Sequence, residues 1–293
     1  MDRLKGKSDG KIQVYVEPDE AGPGTEIVVS FNILEPLDDK ARSVLAGLTC
    51  TGHYKVEERE RNSDDRIETR EVWRSVELHR EKQTLELRNG EQDARFKLPD
   101  EAQPSSGEVV TWEAWARVDR EKGIDVVETE SFEVSVPMDR VPSTRESDPT
   151  NDGLTLVGVP AVASEGESLR GTLVVDVPES VKARAVSVRL HRRVTYIADA
   201  INDYNVYRGD LVSNLIFSSV SKITDDVQVS EVELAGKGSF EPGQRREFPF
   251  EIHVPAIGAT SSHVHAQVDW RVEAVLDRRM RGDKAVEAPV IVV

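Results

Sequence analysis

Cys50 is the chain's only cysteine, so no intrachain disulfide can form, and a reducing cytoplasm is the expected setting. Aromatic residues make up only 5% of the chain, which leaves Val, Ile and Leu to build the core. No stretch approaches the roughly 18 consecutive apolar residues of a membrane span, so integral membrane association is not expected. The first residues (Met1 to Gly6) hold no apolar run, and an export signal is not expected there. Basic excess is also missing. A net charge of −16 and a pI near 4.9 argue against nucleic acid, whose phosphates need basic patches, and disfavour anionic membrane surfaces. No Gly-Lys-Ser/Thr phosphate loop and no Gly-x-Ser-x-Gly elbow occurs, so neither a nucleotide nor any other cofactor is expected, and the chain reads as no enzyme.

A repeat is present instead. Trp112 precedes Asp119 by 7 positions and Asp125 follows by 6; Trp270, Asp277 and Asp283 repeat the same spacings. Pro18 precedes Gly24 by 6, as Pro160 precedes Gly166. Phe96-Lys97-Leu98-Pro99 answers the run Phe250 to Pro255, and a Ser-Ser pair follows each (Ser105-Ser106, Ser261-Ser262). Landmarks in one order at near-equal spacing mark two copies of a domain-sized unit. Residues 1–137 form one domain, 138–153 a linker that holds Pro142 and Pro149 just after Pro137, and 154–293 the second domain.

Within each copy the parity is that of strands. Trp112, Ala114, Ala116 and Val118 share one face of an extended chain, as do Trp270, Val272, Ala274 and Leu276. Similar alternation covers Ile12–Val16 and Ile27–Leu34, with further strands near Leu48–Val56, Val72–Leu78, Thr84–Leu87, Ala94–Leu98 and Val126–Val136. The second copy gives Leu169–Val177, Val181–Thr195 and Val227–Leu234. Glu57–Arg70 is dominated by charge, with a hairpin tip at Asn62–Asp65. At most one short helix fits, in Asp199–Leu215 or near Asp38–Leu45. Many short strands with Pro and Gly turns predict an all-β chain of two tandem antiparallel, immunoglobulin-like β-sandwiches.

The run Pro242-Gly243-Gln244, Phe248-Pro249-Phe250-Glu251-Ile252-His253-Val254-Pro255, Ser261-Ser262 and Val268 to Ala274 resembles the arrestin-type sandwich. Pro160, Gly166-Glu167 and Gly171 to Val174 resemble the first hairpin of that family. The likeness spans nearly all of residues 154–293 and, through the repeat, more faintly 11–136. With neither a signal nor a membrane segment expected, the resemblance points to prokaryotic arrestin-like proteins of the sporulation-control type. The resemblance implies an arrestin-like arrangement of the two sandwiches and a non-catalytic adaptor or regulatory scaffold that binds protein partners. No phosphate-sensor or receptor-binding residue matches by position.

Trp115 lies opposite Trp112, on the polar face, where an indole needs cover from the other domain or from a partner. Tyr204, Tyr207 and Leu211 stand in the stretch where the repeat is broken, Tyr196–Asp226, and loops on a rigid scaffold often carry recognition. These four are the candidate partner-binding residues. Trp115, Tyr204 and Tyr207 would also serve as stacking platforms in the alternative reading, a carbohydrate-binding or surface-adhesion protein. His263-Val264-His265 places two imidazoles at a spacing that can chelate a metal, with His253 able to approach, but surface histidines are the expected reading. The Arg208-Gly209-Asp210 and Arg281-Gly282-Asp283 triplets read as turns in which Gly supplies positive φ. Asp38-Asp39, Asp64-Asp65 and Asp225-Asp226 read as solvated turns, and Cys50 as a core residue.

Overall fold

The computed structural model describes residues 11–61, 67–121, 124–135, 152–199, 220–278 and 282–293. The chain separates into two compact units, Met1–Pro137 and Met138–Val293. Among the described residues the chain is all-β, with several sheets and no helix.

The first unit contains β1 (Ile12–Glu17), β2 (Glu20–Ala21), β3 (Glu26–Ile33), β4 (Ala41–Arg61), β5 (Ile67–Leu85), β6 (Gly90–Lys97), β7 (Val110–Arg120) and β8 (Val126–Val134). One sheet has the order β1-β3-β6 and the other β2-β8-β7-β4-β5. The second unit contains β9 (Leu154–Val157), β10 (Val162–Ala163), β11 (Ser168–Val175), β12 (Val181–Asp199), β13 (Val220–Ala235), β14 (Gly238–Phe240), β15 (Arg246–His253), β16 (Ser261–His263), β17 (Ala266–Arg278) and β18 (Lys284–Val292). Its sheets run β9-β11-β15 and β10-β18-β17-β12-β13, with β14 on β12 and β16 on β17. Removing β14 and β16 leaves the same strand order in both units.

The repeat landmarks have physical causes. Gly24 and Gly166 both take the left-handed conformation, at φ 78 and 76. Each donates its amide to the strand that ends in proline: Gly24 to the Leu98 carbonyl at 3.1 Å, and Gly166 to that of Val254 at 2.8 Å. Trp112 and Trp270 stand on the buried faces of β7 and β17, each 2% exposed. Their indoles donate to carbonyls of the preceding loop, Trp112 to Gln103 at 2.8 Å and Trp270 to Gly258 at 3.2 Å. Around them the alternation puts Ile27, Val29, Phe31 and Ile33 of β3 inside, and Val272, Ala274 and Leu276 of β17.

Some details differ from the sequence reading. The prolines and strand registers align Phe96 with Ile252 and Ala94 with Phe250, so the two phenylalanines are not counterparts. The charged stretch after Glu57 does not end a strand: β4 continues to Arg61, and β5 runs unbroken from Ile67 to Leu85. β7 pairs with β4 as far as Gly52, so among the described residues the outer parts of β4 and β5 pair only with each other and the alternation imposed by a covered sheet face is lost there. Asp38–Leu45 is a turn leading into β4 rather than a helix; the other candidate helix, Asp199–Leu215, lies almost wholly outside the described residues, as does most of the 138–153 linker.

Candidate interaction surfaces

Trp115 does lie on the outward face of its sheet, yet it is 1% exposed. Cover comes from its own sheet. Gly47 is its register partner on β4, and the missing side chain leaves a socket for the indole. The indole Nε1 donates to Thr49 Oγ1 at 3.0 Å, and the Arg80 guanidinium of β5 sits 5.5 Å from the ring centroid. The expectation that Trp115 docks a partner is therefore corrected: a neighbouring glycine buries it. Tyr204, Tyr207 and Leu211 lie outside the described residues.

The matching place in the second unit is charged. Arg189, His191 and Arg193 alternate along the outward face of β12, beside Arg271 and Glu273 on β17 and Asp226 and Glu231 on β13. Asp226 accepts hydrogen bonds from Arg271 at 2.7 Å and Arg193 at 2.8 Å. Arg271 also donates to Glu287 at 3.0 Å, and Arg189 to Glu231 at 2.9 Å. The nitrogens of His191 lie 3.3 Å from Asp226 and 3.2 Å from Glu273, near enough for ion pairing though not aligned as hydrogen bonds. Burial pushes the Asp226 carboxyl up, but hydrogen bonds from Arg271 and Arg193 outweigh it and hold it below the usual carboxylate range. The hydrogen bond from Arg189 lowers Glu231 in the same sense. Asp226 is thus the centre of an ion lattice on a strand, not a solvated turn. The signal for it in the sequence is the Arg-x-His-x-Arg alternation of β12.

The remaining motifs have structural roles. His263 and His265 flank a tight turn between β16 and β17, with the His265 amide donating to His263 Nδ1 at 3.2 Å. They do not share a strand face, and among the described residues no group of three or more His, Cys, Asp or Glu is placed to hold a metal. Asp283 accepts the Arg278 amide at 2.9 Å, as Asp125 accepts that of Arg120 at 2.9 Å, so both aspartates clamp a hairpin. The Arg278 side chain also donates to the Gly282 carbonyl at 2.8 Å. Arg208, Gly209, Asp210 and Arg281 lie outside the described residues. Cys50 is buried, and burial pushes its thiol up to about 12, which leaves no thiolate for chemistry at neutral pH. Lys284 is a charge at a core position, 4% exposed; its ammonium is held by Asp152 Oδ1 at 3.0 Å, where Val126 occupies the matching site of the first unit.

Main-chain edges differ between the units. Glu133 of β8 donates its amide to Asp19, away from β7, and Ile291 of β18 donates to Ala161 in the matching way. Alternation then turns the amides and carbonyls of Val127, Thr129 and Ser131 outward on β8, and those of Ala285 and Glu287 on β18. The position matching Ser131 is Pro289, which has no amide hydrogen.

No protein-family model matches the sequence, and no curated protein matches it. No helix among the described residues is long and apolar enough to cross a membrane.

Proposed function

We propose that the chain is a tandem arrestin-type β-sandwich protein that acts as a non-catalytic adaptor or regulatory scaffold for protein partners in the cytoplasm. The observation that carries this reading is the shared plan of the two units. Their strand orders coincide, and Trp112 and Trp270 occupy matching buried positions with matching indole hydrogen bonds. Such a plan agrees with the duplicated sandwich that the Phe248-Pro249-Phe250 run resembles. The chemistry of the described groups points the same way: the thiol is held protonated, and Asp226 and Glu231 are neutralised by arginines rather than poised for proton transfer. The carbohydrate reading loses the Trp115 platform, because that ring is covered.

Crosslinking in native lysate, followed by mass spectrometry of the captured chain, tests the proposal. A reproducible set of protein partners is expected. Recovery of no protein partner, with or without deletion of Tyr204–Leu211, abandons the adaptor reading.

A further inference from the structure

The two units follow one plan but protect their edges differently. A strand at the border of a sheet exposes unpaired amides and carbonyls to any extended chain, and folded proteins blunt such borders with proline, lysine or a covering segment. On β18 the short strand β10 covers Ile291 and Val292, and Pro289 removes the next outward donor. On β8 the short strand β2 covers only Glu133 and Val134. Val127, Thr129 and Ser131 have no strand partner on their outer side among the described residues, and β8 has neither proline nor lysine. The border at β5 is better defended. β5 carries Arg70, Arg74, Arg80 and Lys82, and the Gln83 amide of β5 donates to the Arg95 carbonyl on β6.

The charge along this border has one sign. Glu130 and Glu133 lie on β8, with Asp19 and Glu20 on the segment that joins it. The nearest cation on β7, Arg117, is already paired with Asp119 and Asp125. A second copy of the chain is a poor occupant, because it would bring the same acidic border, Glu20, Glu130 and Glu133, against its own, and like-charge juxtaposition disfavours a partner. We infer that the Val127–Ser131 edge of β8 is where an extended, lysine- or arginine-bearing segment of a protein partner adds as a further strand. Main-chain hydrogen bonds to Thr129 and Ser131 supply affinity, and the carboxylates select a basic segment. This inference rests on the adaptor reading and names the surface and the chemistry of its partner.

The sister unit supplies the test variant. Ser131→Pro copies Pro289 and removes one outward donor without touching the ladder to β7, while Ser131→Ala removes only the hydroxyl. The probes are two fluorescein-labelled seven-residue peptides of alternating Val and Thr, one with lysines and the other with glutamates at the remaining positions. A third probe is the lysine peptide N-methylated at alternate residues. Fluorescence anisotropy with the full chain is expected to show binding of the lysine peptide alone. Ser131→Pro should weaken it about tenfold, Ser131→Ala should leave it unchanged, and N-methylation should abolish it. Should Ser131→Pro fail to fold, Glu130→Lys with Glu133→Lys should invert the preference between the lysine and glutamate peptides. Equal binding to wild type and Ser131→Pro overturns the inference, as does no preference between the charged peptides or no binding of the lysine peptide. Partners crosslinked equally to wild type and Ser131→Pro in lysate leave the adaptor reading standing and remove only this edge; no partners at all removes both.

Discussion

Gly171 and Phe250 are register partners on β11 and β15, and a Cβ on Gly171 would lie 2.7 Å from the Phe250 ring. Val29 and Ala94 fill the matching pair in the first unit. The ring and the side chain have changed places in size between the copies, as close packing requires if the volume at that level is fixed. Phe250→Ala is expected to cost about 3–4 kcal/mol and Gly171→Val about 1–3 kcal/mol. Together they should cost less than their sum by about 1–2 kcal/mol. Urea denaturation of the two single variants and the double variant measures the coupling; strict additivity would contradict it.

The socket at Gly47 makes a sharper demand. A methyl there meets both the Trp115 ring and the Glu81 carbonyl, and the carbonyl belongs to backbone that cannot swing aside. Gly47→Ala should destabilise the first unit by about 3 kcal/mol and expose the indole. A red shift of tryptophan emission in the folded variant is the expected readout, and wild-type emission with wild-type stability would refute the socket.

Asp226 gives the chain an acid-sensitive component of stability. Its folded pKa is depressed, so its contribution is complete above the unfolded pKa of about 4 and disappears as pH falls through the folded value. Asp226→Asn should therefore cost about 1 kcal/mol at neutral pH, and the gap between wild type and variant should start to narrow as pH falls below about 4. High salt should narrow the neutral gap. A gap that neither narrows with falling pH below about 4 nor responds to salt would show that the loss is steric and not electrostatic.

Much of the fold could be read from residue order alone. Strands such as Ile27–Ile33 are legible because their apolar residues alternate against a wet face, and the proline–glycine spacing survives because Gly24 and Gly166 must adopt the same left-handed turn. The long reach of β4 and β5 was not legible: beyond Gly52 those strands pair only with each other, and the apolar alternation that signals a strand is absent. Trp115 misled for a different reason. Parity placed it on the correct face, but its burial depends on the absence of a side chain at Gly47, on another strand. Asp226 belongs to the same class, since its partners Arg193 and Arg271 come from two other strands.

Cys50 gives the molecule a built-in reporter. Because it is the only thiol, is sealed inside the first unit and stays protonated, an alkylating reagent can reach it only when that unit opens. Labelling kinetics therefore follow the opening of one half of a duplicated chain while the other half stays silent, and the two copies can be told apart without cutting them.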